Sequence, residues 1–294
     1  MRSSKSWKDY ELIDSGGGER LERWGDIILI RPDPQAIWKT PRNNLLWRDA
    51  HAQYRRNRQG GGKWKVYKDF PEEWTANYRD LTFKIRPMGF KHTGLFPEQA
   101  VNWDYMREVI RESGRKDVKV LNLFAYTGGA TVAALKEGAS VVHVDASKGM
   151  VSYAKENAEL SGVIDRPVRW LVDDCKKFVQ REIRRGNRYD IIIMDPPSYG
   201  RGPGGEVWKI EDEIYELVEL CKELLSEDAL MFLINSYTAG LSPFVMKYLL
   251  GILIVPEFGG TVLSDEIGLP TTETGMELPC GASAMWLRKP AKEQ

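Results

Sequence analysis

Cysteine and histidine are scarce, three of each in 294 residues. Cys175, Cys221 and Cys280 are odd in number and far apart, which argues against a disulfide framework and against a zinc cluster. His51, His92 and His143 are equally scattered, so no metal site is expected. No apolar run is long enough to span a bilayer, and the N-terminal "MRSSKSWKDYELID" lacks the apolar stretch of a secretory signal. Net charge is missing too. Lys+Arg and Asp+Glu number 42 each, so global charge selects no partner. These absences describe a chain of a reducing cytoplasm with no membrane contact.

What is present divides the chain in two. With 42% hydrophobic residues there is enough for one large core and a smaller one. Residues 1–90 read as a small β-rich domain. "YELIDSGGGERLERWGDIILIRP" suggests short strands around the Gly16-Gly17-Gly18 turn, and "YRDLTFKIRP" alternates as a half-buried strand does. Charge is uneven here: from Trp38 to Lys68 there are nine Lys or Arg and one acid, Asp49, interleaved with Trp38, Trp47, Tyr54, Trp64 and Tyr67. Cations can track phosphates and aromatic rings can stack on unpaired bases. Arg55, Arg56, Arg58 and Trp64, beside the glycines at 60–62, are the candidate RNA contacts; the plainer reading is a solvated basic face over a small core.

Residues 91–294 change texture. Short apolar strands alternate with helices: "VKVLNL", "SVVHVD", "VRWLVD", "YDIIIMD" and "ALMFLINS", with helices between them and one expected from Trp208 to Leu225. This is the pattern of βαβ units and a mostly parallel α/β sheet. Ligands of such sheets bind beyond the carboxyl ends of the strands. The first strand there ends in "LFAYTGGA", whose Thr127, Gly128 and Gly129 open a helix; glycines allow close approach, and a helix start favours an anion. The second ends in Asp145, placed to accept ribose hydroxyls, the third in Asp173-Asp174, and the fourth in Asp195. Asp174 also reads as a helix cap. A nicotinamide dinucleotide wants a third glycine for its pyrophosphate, which Tyr126-Thr127-Gly128-Gly129-Ala130 does not supply. S-adenosylmethionine has an amino-acid end, a ribose, an adenine and no phosphate, and it matches.

The fourth strand runs into Asp195-Pro196-Pro197. Proline fixes φ and brings no N–H to compete for its neighbours' carbonyls, so this rigid loop with one carboxylate suits an acceptor's amino or hydroxyl hydrogen.

"LNLFAYTGGATVAAL", "HVDAS", "DD" and "DPPSYGRG" resemble class I S-adenosylmethionine-dependent methyltransferases, whose Rossmann-like sheet carries one antiparallel strand near the C-terminus. More narrowly they resemble the bacterial large-subunit ribosomal RNA methyltransferases acting on cytosine C5 or guanine N7. "KHTGLFPEQAVNW" is similar to that family's element before the catalytic domain, here Thr93, Gly94, Phe96 and Gln99. The resemblance implies that Phe96, Gln99, Phe124, Tyr126, Thr127, Gly128, Gly129, Asp145, Ala146, Asp173 and Asp174 bind the cofactor, and that Asp195, Pro196, Pro197 and Tyr199 face the acceptor. It also implies RNA, ribosomal first, as the partner, and leaves room for a homodimer. Two departures bear on the chemistry. Cytosine C5 enzymes need a cysteine to add to C6, at the end of the fifth strand. Here that place reads "INSYTAG", and Cys280, the remaining stand-in, reads as a structural thiol. Transfer to nitrogen or oxygen is therefore expected. Ser198 follows the prolines where amino-methylating enzymes place an aromatic, and Tyr199 comes one residue late. The rival readings are a nicotinamide-dinucleotide oxidoreductase and a non-catalytic RNA-binding protein with a vestigial cofactor pocket.

Overall fold

Met1–Val101 with Ile267–Cys280, and Asn102–Glu266 with Gly281–Gln294, fold as separate units. The computed structural model describes residues 1–57, 61–201, 207–238 and 240–289. Among them, no helix is long and apolar enough to cross a membrane.

In the first unit, β1 (Arg2–Ser3) precedes β2 (Tyr10–Gly16), β3 (Glu19–Trp24), β4 (Ile27–Pro32), β5 (Ala52–Arg56) and β6 (Gly62–Val66), and β2 to β6 form one sheet in that order. Gly17 and Gly18, at φ 61° and 77°, make the β2–β3 turn, a backbone region that costs glycine little. The alternation along β3 and β4 sends Leu21, Ile28 and Ile30 to one face, where they pack with Ile13, Trp47 and Ala50. The opposite face carries Arg20, Glu22, Trp24 and Arg31, all buried. Polar alternation normally marks a solvent face; here both faces of the central strands are covered. "YRDLTFKIRP" is not one strand. It is the turn and second arm of a hairpin, β7 (Trp74–Tyr78) to β8 (Leu81–Ile85), bent at Arg79, φ 53°.

In the second unit α1 (Ala100–Glu112) leads into β9 (Lys119–Leu123), α2 (Gly129–Lys136), β10 (Ser140–Asp145), α3 (Lys148–Leu160), β11 (Val168–Val172), α4 (Cys175–Arg185) and β12 (Ile191–Met194). A small hairpin, β13 (Tyr199–Arg201) and β14 (Val207–Lys209), follows. It occupies the start of the helix expected from Trp208; that helix, α5, runs over Ile210–Lys222. Then come β15 (Met231–Ser236), α6 (Pro243–Leu253), α7 (Val255–Phe258), β16 (Thr261–Pro270) and β17 (Glu277–Leu287). The sheet order β11-β10-β9-β12-β15-β17 is parallel except for β17, the α/β class expected. Phe178 of α4, Leu217 of α5 and Leu250 of α6 cover one face of it against Leu121, Ile192 and Phe232. Ser147, Asp174 and Ser242 cap their helices, and Gly186 ends α4 in the left-handed region.

The sequence placed the division between residues 90 and 91. In the structure the first unit runs on to Val101 and takes in the distant segment Ile267–Cys280. The cause is long-range pairing: Arg2 and Ser3 pair with Ile267 and Gly268, and the Thr272 and Glu273 amides donate to the Leu12 and Ile13 carbonyls at 3.0 and 2.9 Å.

Candidate active site

Register brings the strand tips together. Leu123 of β9 lies beside Val144 of β10 and Met194 of β12; Val172 of β11 lies beside Asp145, and Ile234 of β15 beside Met194. Phe124, Asp145, Asp173, Asp195 and Asn235 therefore leave the same edge of the sheet. The chain order reverses between β9 and β12, the switch point where such sheets bind ligands. Asp145 and Asp195 end strands two steps apart, roughly 10 Å at ordinary strand spacing.

The turn after β9 is more contorted than its glycines suggest. Phe124 and Tyr126 adopt φ of 53° and 49°, and Gly128 82°. Left-handed non-glycine residues are uncommon and concentrate at functional sites. Each is held from outside: the Phe124 amide donates to Cys175 Sγ at 3.3 Å and the Tyr126 amide to Asp145 Oδ2 at 2.9 Å. The Asn157 amide group donates to the Thr127 carbonyl at 2.8 Å. Asp145 thus has a task not expected of it, pinning the glycine turn, while its Oδ1 accepts the Ser147 amide at 2.8 Å. Burial raises its carboxyl pKa, and these two amides oppose the rise.

Gly128 and Gly129 were expected to make room for a ligand. A Cβ on Gly128 would stand 2.8 Å from the Ala154 methyl, and one on Gly129 2.5 Å from the Trp103 ring. Their bareness is thus required by packing against α3 and α1. No side chain caps α2, so its first amides receive no side-chain acceptor.

Asp174 is the α4 N-cap, accepting the Lys177 amide at 2.8 Å, and Asp173 is ion-paired with Arg181. Ala146 is exposed between Asp145 and the cap Ser147. Asp195 is half-buried, Pro196 buried, and Pro197 and Tyr199 exposed. Phe96, half-buried, and Gln99, buried, belong to the first unit, at the short 3-10 turn Pro97–Gln99.

The expectation that the proline-loop carbonyls stand open is corrected at one position. The Trp208 indole N–H donates to the Pro197 carbonyl at 2.6 Å. The same ring lies 5.2 Å from the Phe124 ring, tilted by 48°. Trp208 therefore ties the proline loop to the turn of β9, a role missed because its run read as helix. The Gly- and Pro-rich "GRGPGGEVW" between Tyr199 and Trp208 was the available hairpin signal. Replacing Trp208 with Phe keeps an aromatic ring and deletes one hydrogen bond, worth about 1 kcal/mol. The expected result is a kcat roughly 3–10-fold lower with unchanged cofactor affinity, measured by methyl-transfer kinetics and calorimetry.

The three cysteines are held as thiols. Burial raises the Cys175 and Cys221 thiols, and burial with the neighbouring Glu98 carboxylate raises Cys280. Burial lowers His143 to about 3, so the ring is neutral, bonded through Nδ1 to Thr131 at 2.9 Å. At the tip of β15, Asn235 accepts from the Asn102 amide group at 2.9 Å and Ser236 is buried.

On the first unit, Arg55 and Arg56 are exposed on β5, as are Lys63 and Lys65 on β6. Arg58 lies outside the described residues. Trp64 is half-buried, its indole donating to the Met88 carbonyl at 2.9 Å and its ring edge-on to Tyr54 at 5.6 Å. Trp47 and Tyr54 are buried, as the plainer reading had it; Tyr67, 45% exposed beneath Lys65, is the more open ring.

The model of the S-adenosylmethionine-dependent methyltransferase family matches residues 45–247. A crystal structure of the SAM-dependent methyltransferase from Agrobacterium tumefaciens superposes with a TM-score of 0.92 at 37% identity, covering 98% of this chain and 93% of that one. A ribosomal RNA large subunit methyltransferase K/L of Shewanella amazonensis is 34% identical over 69% of this chain and 27% of its own length. Its counterpart in Shewanella frigidimarina is 28% identical over 77% and 34%. The chain thus spans about a third or less of these curated relatives.

Proposed function

Because the chain belongs to the S-adenosylmethionine-dependent methyltransferases, with S-adenosylmethionine as its cofactor, we propose that it methylates RNA, ribosomal RNA first, at nitrogen or oxygen. The observation that carries this reading is the edge at the switch point, where Asp195 and its proline loop adjoin the β9 turn while the β15 tip offers Asn235 and Ser236 in place of a thiol. The fit to the cofactor rests on the uncapped start of α2 for a carboxylate, on half-buried Asp145 for the ribose, and on Asp173-Asp174 toward the adenine. Phe124, Tyr126, Thr127, Gly128, Gly129 and Ala146 complete that pocket, and Phe96 and Gln99 are proposed as further cofactor-binding residues on the strength of the family resemblance.

The bound cofactor supplies an electrophilic methyl on its sulfonium. Asp195 accepts a hydrogen bond from the acceptor's N–H or O–H and aims the lone pair in line with that methyl. The proton displaced by the new bond passes to the Asp195 carboxylate and then to water. Pro196 and Pro197 keep the loop from relaxing, and Tyr199, half-exposed, stacks on the acceptor ring. Arg55, Arg56 and Arg58 contact RNA phosphates, while Trp64 serves by fixing the β5–β6 hairpin. Family membership and the missing third glycine leave the nicotinamide reading without support.

Tritium transfer from labelled S-adenosylmethionine to total RNA of a strain lacking the gene tests the proposal, with nucleoside mass spectrometry naming the atom. Label in protein, or in 5-methylcytidine, would overturn it. A variant with Cys175, Cys221 and Cys280 all replaced by Ala is expected to keep transfer within severalfold of wild type once its folding is confirmed by circular dichroism. Cytosine C5 chemistry would lose activity altogether.

A further inference from the structure

In the first unit, cations gather on the buried face of the small sheet. Glu22 clamps Arg31, whose Nη2 donates to Oε1 at 2.8 Å, and Arg31 Nη1 donates to the Lys91 carbonyl at 3.1 Å. Arg20 stands between Glu22 at 3.3 Å and Asp33 at 3.7 Å. Its Nε is buried without a hydrogen bond of good geometry, and the fully buried Thr93 hydroxyl has no hydrogen-bond partner among the described residues. Lys91, half-buried, reaches only the Pro32 carbonyl, at 3.4 Å, and makes no ion pair among the described residues. Burial first, then Arg20, Arg31 and Arg56, pull its ammonium down to about 8, against the opposing pull of Asp33. His92, beside it, is lowered to about 3 by burial and then by Arg31, Lys91 and Arg20, so it adds no charge.

A stabilising network would pair the lysine with a carboxylate. Three buried carboxylates, Glu22, Asp33 and Glu98, face Arg20, but Lys91, half open to solvent and lying against Arg31, pairs with none of them among the described residues, so its ammonium is left for an anion from outside. We propose that Arg20, Arg31, Arg56 and Lys91 enclose a phosphate-binding recess, in which Lys91 contacts a backbone phosphate of the substrate RNA. Arg56, exposed and on the same face of the sheet as Arg31 by the Leu29–Ala52 pairing and strand alternation, forms its rim, and the buried Arg20 and Arg31, held by Glu22 and Asp33, supply a fixed field. The inference rests on RNA being the acceptor. It adds a contact inside the unit to the surface ones on the β5–β6 hairpin.

Two measurements on the full chain test it. With lysines reductively 13C-methylated, the Lys91 signal, assigned by its loss in Lys91→Gln, is expected to titrate near pH 8 and to shift upward with inorganic phosphate. RNA affinity of Lys91→Gln is expected to fall 3–10-fold, with a salt slope smaller by about 1 and S-adenosylmethionine affinity intact as the check on folding. Affinity of the wild type should decline as pH rises through about 8, where the ammonium is lost. A Lys91 signal indifferent to phosphate, or an unchanged salt slope, overturns the recess. If phosphate moves the signal while the wild type neither binds nor methylates RNA, the RNA reading fails and the recess belongs to a free phosphoester.

Discussion

Asp195→Ala should lower methyl transfer roughly 10²–10⁴-fold, the span of a positioned proton acceptor, while leaving cofactor affinity within about twofold. Asp195 ends β12, next to β9 across the switch point, and its amide continues the ladder by donating to the Leu123 carbonyl at 3.4 Å. The backbone and the buried Pro196 help to set the position of the loop, and truncating the carboxylate removes the partner proposed for the acceptor. Asp195→Asn separates two contributions. The amide keeps an acceptor oxygen for orientation but cannot take a proton, so a loss as large as that of Ala would assign the effect to proton removal. Tritium-transfer kinetics read the rate, and calorimetry with S-adenosylmethionine reads binding. A rate within tenfold of wild type in the Ala variant would remove Asp195 from the reaction.

The largest expected effect on stability lies in the first unit. Glu22 is fully buried and accepts from the Tyr10 hydroxyl at 2.8 Å and from both Arg31 Nε and Nη2, with Arg20 at 3.3 Å. Glu22→Ala would leave Arg20 and Arg31 buried without this carboxylate, a change that costs about 3–5 kcal/mol in a fold of which the total stability is of order 5–15 kcal/mol. Urea unfolding should show the loss, with hydrogen exchange placing it on β3 and β4. The same carboxylate sets an acid limit. Burial opposes its ionisation, yet Arg20 and Arg31 prevail and hold its pKa at about 2, below the 4.5 of a free glutamate. A depressed acid stabilises above its unfolded pKa, so this contribution is present at neutral pH and lost as pH falls from about 4.5 toward about 2. Wild type should lose first-unit protection in that window; Glu22→Ala should show a flatter profile.

Much of the second unit was legible because its signals are local. Apolar runs of strand length, Ser147 and Asp174 as caps and Gly186 as a stop act over a few residues, and the acids follow directly on the strands they end. Which tips meet also followed from strand alternation, since a parallel sheet has one carboxyl edge. The glycine turn was seen, but not its reason. That Gly128 and Gly129 give way to Ala154 and Trp103 depends on helices remote in sequence. Trp208 escaped notice because its neighbours "KIEDEIYEL" carry a helical pattern that overrode the hairpin.

The amino-acid sequence by itself determined the strands of the central parallel sheet and the helices between them, the acids at their tips and the lack of a cysteine at the end of β15, because periodicity, capping and chain stiffness operate within one or two turns of chain. Tertiary structure alone decided that Ile267–Cys280 completes the first unit, that Trp208 holds Pro197, and that Arg20, Glu22, Arg31 and Lys91 converge on a covered face. Those outcomes turn on which surfaces lose water when distant segments pack, and the charge of a side chain does not announce on which side of a sheet that will happen.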